Sequence, residues 1–229
     1  GKPVENILGQ DYLEKYYAYG IRNSFGLAFD PVTGVLWDTE NGPAYGDEIN
    51  LVSPGFNSGW NEVQGIWKEE NGQSGDIFDD IQELESFRGK GNYSAPEFVW
   101  QETVGVTDLI FLNSSKLGKY YKNDLFVGDF NNGYIYHFKL YNNRTALLLN
   151  EPLDDKIANN YEELNKVIFG ASFGGITDLE VGPDGYIYVL AVNFGGGNCD
   201  PNFPTDACTP YSGKNIGTIF RIVPVRLHS

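Results

Sequence analysis

Methionine is absent from the 229-residue chain, and cysteine and histidine are down to two each. The histidines, His137 and His228, lie away from the cysteines in sequence, so spacing assembles no zinc site of mixed Cys and His ligands. Basic side chains are scarce: 16 Lys and Arg stand against 31 Asp and Glu, a net charge of −15. That balance disfavours a nucleic-acid or anionic-membrane partner, because the phosphates would be repelled. It suits cation binding, high solubility or a saline setting, and most of the acids read as solvated surface. No apolar run approaches the ~18–20 residues of a membrane span. Long helical periodicity is also nearly missing. The best helix candidate runs from Tyr161 to Ile168, with Asn160 as its N-cap.

Aromatics and glycine fill the space that these absences leave. There are 15 Tyr, 15 Phe, 4 Trp and 28 Gly. Aromatic and β-branched runs cut by Gly and Asn-Gly punctuation read as all-β. Cys199 and Cys208 bracket one Gly/Pro/Asp-rich loop and read as a loop-closing disulfide in an oxidising compartment, with two free thiols as the alternative. Sequons at Asn92, Asn113 and Asn143 are compatible with export. Together these place the protein outside the cell, at its surface or in a periplasm.

A unit of strand, tight turn, strand, loop, strand occurs about three times. It opens at Gly26-Leu27-Ala28-Phe29, at Thr107-Asp108-Leu109-Ile110-Phe111 and at Thr177-Asp178-Leu179-Glu180-Val181. It closes at Glu48–Val52, at Tyr134–Phe138 and at Thr218–Ile222. Recurring strand triplets with Gly/Asp turns are the pattern of β-propeller blades of four-stranded antiparallel sheets. A β-sandwich is the alternative that periodicity leaves open. The units recur at 70 residues or more, so long loops, 61–96 and 193–216, carry the excess. Three or four blades do not form the common closed ring. Residues 1–229 are therefore read as a single β-propeller domain and as the C-terminal part of a longer chain. Open sheet edges then call for cover, from missing N-terminal blades or from another polypeptide.

The stretch GIRNSFGLAFDPVTGVLWDTENGPAYGDEINLVSPGFNSGW, Gly20 to Trp60, resembles the soluble quinoprotein glucose/sorbosone dehydrogenase family. GGITDLEVGPDGYIYVL (Gly174–Leu190), GTIFRIVP and LFVGDFNNGYIYHFKL (Leu125–Leu140) extend the resemblance in order. It implies a six-bladed propeller that binds pyrroloquinoline quinone (PQQ) and Ca²⁺ and oxidises a sugar hydroxyl. By position, it assigns Arg22 and Asn23 to the cofactor, and the backbone oxygens of Gly42 and Pro43 to its Ca²⁺. Asp47 and Glu48 match acids that hold a structural Ca²⁺ in some members. The catalytic His of the family lies in an N-terminal blade, so no catalytic residue is assigned within this chain.

Several positions depart from that pattern. Arg22-Asn23 is followed by Ser24-Phe25 where the family has Pro-Gln, and Asn41 stands where it has His. About Asn131 stands where it places a cofactor Lys, and Gly175-Ile176-Thr177-Asp178 lacks its arginines. Because the quinone is a tricarboxylate, it needs such cations. Two expectations follow. One is a PQQ- and Ca²⁺-dependent aldose dehydrogenase in which several cofactor-binding positions are replaced, the chain alone being inactive. The other is a non-catalytic extracellular propeller that binds carbohydrate or protein and is stiffened by Ca²⁺.

Overall fold

The structure is a computed structural model and describes residues 16–66, 84, 86–87, 89–192 and 217–225. Cys199, Cys208 and the disulfide expected between them lie outside the described residues. In chain order the first strands are β1 (Ala18–Tyr19), β2 (Ser24–Phe29), β3 (Leu36–Glu40), β4 (Tyr45–Val52), β5 (Phe56–Asn57), β6 (Asn92–Tyr93) and β7 (Phe98–Glu102). Then come β8 (Val106–Phe111), β9 (Leu125–Asp129), β10 (Ile135–Phe138), β11 (Ile157–Ala158) and a short helix α1 (Tyr161–Leu164). The last are β12 (Ile168–Gly170), β13 (Gly175–Val181), β14 (Ile187–Val192) and β15 (Gly217–Arg221).

Three of the sheets are propeller blades. Blade A has the order β2-β3-β4-β7, with β11 added in parallel beyond β7. Blade B is β8-β9-β10-β12 and blade C is β13-β14-β15. Ladders within each blade are antiparallel. A small parallel sheet, β1-β5-β6, forms its own ladder and lies against blade A, where Ser58, next to β5, donates to Glu40 of β3. The repeat legible in the sequence is therefore real, and β7 and β12 add a fourth strand to blades A and B.

Side chains alternate across each strand, so a blade covered on both sides buries both faces. In blade B, Leu109, Phe111, Leu125, Val127, Tyr136 and Phe138 pack toward Trp37, Ile49, Phe98 and Trp100 of blade A. The residues between them, Ile110, Phe126 and Ile135, pack toward Ile176, Leu179, Ile187 and Val189 of blade C. Phe98 lies 4.9 Å from both Trp100 and Phe138 in tilted or edge-on contacts, a geometry that favours aromatic pairs.

The helix expected over Tyr161–Ile168 is only one turn long. Asn160 caps it as expected, its Oδ1 accepting from the Glu163 N–H at 3.1 Å. Glu163 reaches back to the Asn159 N–H at 2.8 Å. The β-branched end of that stretch goes to the sheet instead, where Ile168 pairs with Tyr136. Tertiary pairing outweighs a weak local preference here.

Candidate functional site

The hairpin turn between β3 and β4, Asn41 to Ala44, sits at one end of blade A and reaches toward blade B. Asp47 fixes it there. Its Oδ1 accepts from the Gly42 N–H at 2.9 Å. Its Oδ2 accepts from the N–H groups of Val104 at 2.8 Å and Gly105 at 2.7 Å. Asn41 adds a bond from Nδ2 to the Val106 carbonyl at 2.7 Å. Asp47 is fully buried. Burial pushes its carboxyl above the usual range, against the pull of these backbone donors.

Blade B repeats the device. Its β9–β10 turn docks on the segment ahead of β13, where Phe173 donates to the Gly133 carbonyl at 3.3 Å. A Cβ on Gly133 would collide with the Gly174 backbone, and its φ is +66°, so only glycine fits.

Arg22, just ahead of β2, is half-buried and turned onto the same hairpin. Its Nη1 donates to the carbonyls of Asn41 at 2.7 Å and Gly42 at 2.9 Å. Its guanidinium carbon lies 5.1 Å from the centre of the Trp60 ring. Asn23 is exposed, and its carbonyl accepts from the Asn41 N–H at 2.9 Å. Pro43 is exposed. Arg22, Asn23, Asn41 and Gly42 thus come together, and Arg22 engages the Gly42 oxygen itself.

Glu48 points to the opposite face from Asp47 and joins a group that sequence reasoning did not pick out. Asp38 and Glu40 on β3 face Asn50 and Glu48 on β4, as directly opposed pairs. All four are buried. Glu48 Oε1 accepts from Gln64 Nε2 at 2.9 Å and the Gly65 N–H at 2.6 Å, and its Oε2 from Asn50 Nδ2 at 3.2 Å. Glu40 accepts from the Arg22 N–H at 2.5 Å and the Ser58 hydroxyl at 2.6 Å. Neither oxygen of Asp38 has a protein hydrogen-bond partner, and neither does Asn50 Oδ1.

Burial, and then the charge of Glu40, push Asp38 up to about 7. Glu48 is raised by burial and by the same neighbour. Without a cation, such a cluster stays neutral by holding protons. No group of three or more His, Cys, Asp or Glu among the described residues is spaced to close on one metal ion. The sequence signal was there: Asp38-x-Glu40 and Glu48-x-Asn50 put polar side chains on one face of two strands otherwise built for burial.

Between the blades the inner strands present acids. Asp108 Oδ2 accepts from the Leu179 N–H at 3.1 Å. Burial, with the neighbouring Asp178 adding to it, raises Asp108 to about 7. Asn131 lies over Gly105, its Nδ2 donating to the Thr103 carbonyl at 3.4 Å. His137 sits in β10, with Nε2 2.8 Å from Asp124 Oδ2 and its ring 5.0 Å from that of Phe126. It braces blade B from within.

A fan of antiparallel blades with their inner strands side by side is a β-propeller architecture. The chain belongs to the glucose/sorbosone dehydrogenase family, whose model matches residues 3–197. It is 29% identical over 178 residues to the aldose sugar dehydrogenase YliI of Escherichia coli, which covers 76% of this chain and 40% of that protein. In shape it is similar to a solved glucose dehydrogenase, with TM-score 0.63, 22% identity, and coverage of 97% of this chain and 51% of that one. It is also similar to the PQQ-bound aldose sugar dehydrogenase of Streptomyces coelicolor, with TM-score 0.50, 20% identity, and coverage of 88% and 46%. The chain thus spans about half the length of these relatives or less. No helix among the described residues is long and apolar enough to cross a membrane.

Proposed function

We propose that this chain forms one half of an exported sugar-dehydrogenase propeller and does not hold the quinone by its own residues. One observation carries this reading. Arg22, the only cation at the positions that the resemblance assigns to the cofactor, is spent on the carbonyls of Asn41 and Gly42. Those carbonyls belong to the turn that would otherwise face a divalent ion.

The residues do not fit a tricarboxylate in other respects. Asn131 stands at about the position of the family's Lys, and Gly175-Ile176-Thr177 carries no arginine ahead of Asp178. Each charge-assisted hydrogen bond contributes about 1.5–3 kcal/mol. Losing three lowers affinity by several orders of magnitude. On this reading the chain serves binding, of a glycan or of further polypeptide, rather than oxidation.

The test is calorimetric titration of the longest natural form of the protein with PQQ, with and without Ca²⁺. No saturable heat is expected. Micromolar quinone binding accompanied by reduction of a dye with aldoses would instead establish the dehydrogenase reading. One observation favours that second reading: Arg22, Asn23 and Gly42 are gathered at one end of the blade, with Pro43 next in the chain and exposed. In that case Arg22 would swing onto the quinone and free Gly42 and Pro43 for Ca²⁺. Asp47 and Glu48 do not join it as a ligand pair, because their side chains lie on opposite faces of β4. The exposed acceptor positions Asn92, Asn113 and Asn143 suit an extracellular or periplasmic site.

A further inference from the structure

The strands of the three blades run between the same two ends of the fan. One end carries the hairpin turn 41–44, Arg22 and the β9–β10 turn. The other carries the β2–β3 turn, the β8–β9 loop, the turn that follows β10 and the β13–β14 turn. A six-residue strand such as β8 sets the two ends about 20 Å apart. The elements of the second end meet one another. Arg144, in the turn after β10, reaches Asp30 of the β2–β3 turn at 2.6 Å and the Asn123 carbonyl ahead of β9 at 2.7 Å. The Asn123 N–H in turn donates to the Leu112 carbonyl at 2.7 Å. Gly185 of the β13–β14 turn lies against Ser114 of the β8–β9 loop.

Two of the three sequons fall at this end. Asn113-Ser114-Ser115 follows directly on Leu112, and Asn143-Arg144-Thr145 contains Arg144 itself, so Asn123 links the two. Both lie outside the strands, and in each the Asn and the hydroxyl residue two positions on are exposed. Asn143 Oδ1 accepts from the Thr145 N–H at 3.3 Å. This bend brings the Thr145 side chain toward the Asn143 amide, the arrangement that the spacing of a sequon serves. Arg144, between them, is turned inward and clamped, with 12% side-chain exposure, so its two neighbours are held outward. Neither the Asn113 nor the Asn143 amide nitrogen gives a hydrogen bond among the described residues.

The third sequon is built differently. Asn92 is exposed but belongs to β6, paired in parallel with β5. Its N–H donates to the Gly55 carbonyl at 3.0 Å, and that of Ser94 to the Asn57 carbonyl at 3.2 Å. The sequon is thus held extended in a ladder and bends only if that ladder opens.

We propose that Asn113 and Asn143 carry N-linked glycans, so that one end of the fan is coated with sugar and the hairpin end is left clear. The proposal rests on the exported reading above, since the glycan donor, a sugar linked to a lipid phosphate or pyrophosphate, is met on the export route. The Asn amide nitrogen attacks the anomeric carbon of that sugar. An N–C bond forms, the C–O bond to the lipid phosphate breaks, the phosphate leaves with the electron pair, and the amide gives up one proton. Both asparagines lie beyond strand ends, whereas blades pack through their faces. Further blades against A or C therefore leave both asparagines open. A hydrated glycan on each keeps protein partners from docking at this end and directs them to the end that holds Arg22 and Gly42.

Glycopeptide mapping tests this. The longest natural form of the protein is isolated from the cells that make it, after cytoplasmic and exported fractions are separated, and its chymotryptic peptides are weighed by mass spectrometry. Glycan mass is expected at Asn113 and Asn143, with Asn92 bare. Ser115→Ala and Thr145→Ala, which keep both asparagines, should each remove one glycan, and Thr145→Ser should retain it. An exported protein with Asn113 and Asn143 both bare overturns the proposal and leaves the exported reading standing. A protein confined to the cytoplasm and unmodified removes both. Glycan that persists at Asn143 in Thr145→Ala, or that sits at Asn92 alone, also overturns the proposal.

Discussion

Arg22 and Gly42 are 20 residues apart in sequence and meet at 2.9 Å, guanidinium Nη1 to backbone carbonyl. The same nitrogen also takes the Asn41 carbonyl. A cation supplied by the chain therefore already sits on the hairpin oxygens. A bound divalent ion and this guanidinium cannot occupy those oxygens together, because like charges repel at contact distance. Any divalent ion at this hairpin would therefore have to displace one side chain, Arg22.

Arg22→Ala tests that displacement. Removing the guanidinium frees two carbonyls and exposes part of the Trp60 ring, so the variant should lose about 1–3 kcal/mol of stability. Ca²⁺ at millimolar concentration should then raise its melting temperature, while leaving that of the parent chain unchanged. Scanning fluorimetry of both proteins, with Mg²⁺ as the control, reads the difference. Equal Ca²⁺ responses in the two proteins would show that Arg22 does not compete with the ion.

Asp47 acts as a bracket between blades A and B. Its buried oxygens accept from Gly42, Val104, Gly105 and, more weakly, Val106, and these four donors lose that partner if it is truncated. Asp47→Ala should cost about 3–4 kcal/mol, since each orphaned buried donor carries a desolvation penalty. Asp47→Asn should recover about half of this, because its remaining oxygen can accept from Val104, Gly105 and Val106 while its NH₂ group meets the Gly42 N–H. Urea denaturation followed by tryptophan fluorescence measures both. A loss below about 1 kcal/mol would show that the hairpin is held by other interactions.

Much of this architecture was legible in advance because it follows period-2 patterns and turn chemistry. The three openings at Gly26, Thr107 and Thr177 mark β2, β8 and β13, and the closing stretches are β4, β10 and β15. The fourth strands were not legible. β7 and β12 are separated from their blades by long loops, and a strand defined by its partner leaves a weak local signal. The site was legible in part. Arg22, Asn23 and Gly42 were assigned by position and do lie together. The alliance of Glu48 with Asp38 and Glu40 depends on strand register, which a one-residue slip would reverse.

Asp38 makes stability depend on pH. Its carboxyl is raised to about 7, first by burial and then by the charge of Glu40. A group raised in the folded state favours folding while protonated, and that stability is lost as pH rises from its unfolded value toward 7. Asp38→Asn should therefore stabilise the chain at pH 8 by about 2–4 kcal/mol in the absence of metal and change little at pH 4. Melting temperatures across that range, without metal and with a chelator, check it. A variant less stable at pH 8 would mean that ionised Asp38 has a partner, and a cation would be the first one to seek.

Asp30 gives the opposite slope. Burial pushes its carboxyl up, but hydrogen bonds from Arg144 and Thr33 outweigh burial and bring it below its usual value. Its Oδ2 accepts from Arg144 Nε at 2.6 Å, while Arg144 Nη2 takes the Asn123 carbonyl at 2.7 Å. The pair ties the β2–β3 turn of blade A to blade B. This stability is present above the unfolded value of Asp30 and lost as pH falls through its folded one. Arg144→Ala leaves a carboxylate with 0% side-chain exposure unpaired, which should cost about 3–5 kcal/mol at pH 7. The deficit should shrink as Asp30 protonates below pH 4. Arg144→Ala/Asp30→Asn should recover more than half of it. Urea titrations at pH 7 and pH 4 separate this electrostatic clamp from simple packing, which would give the same loss at both.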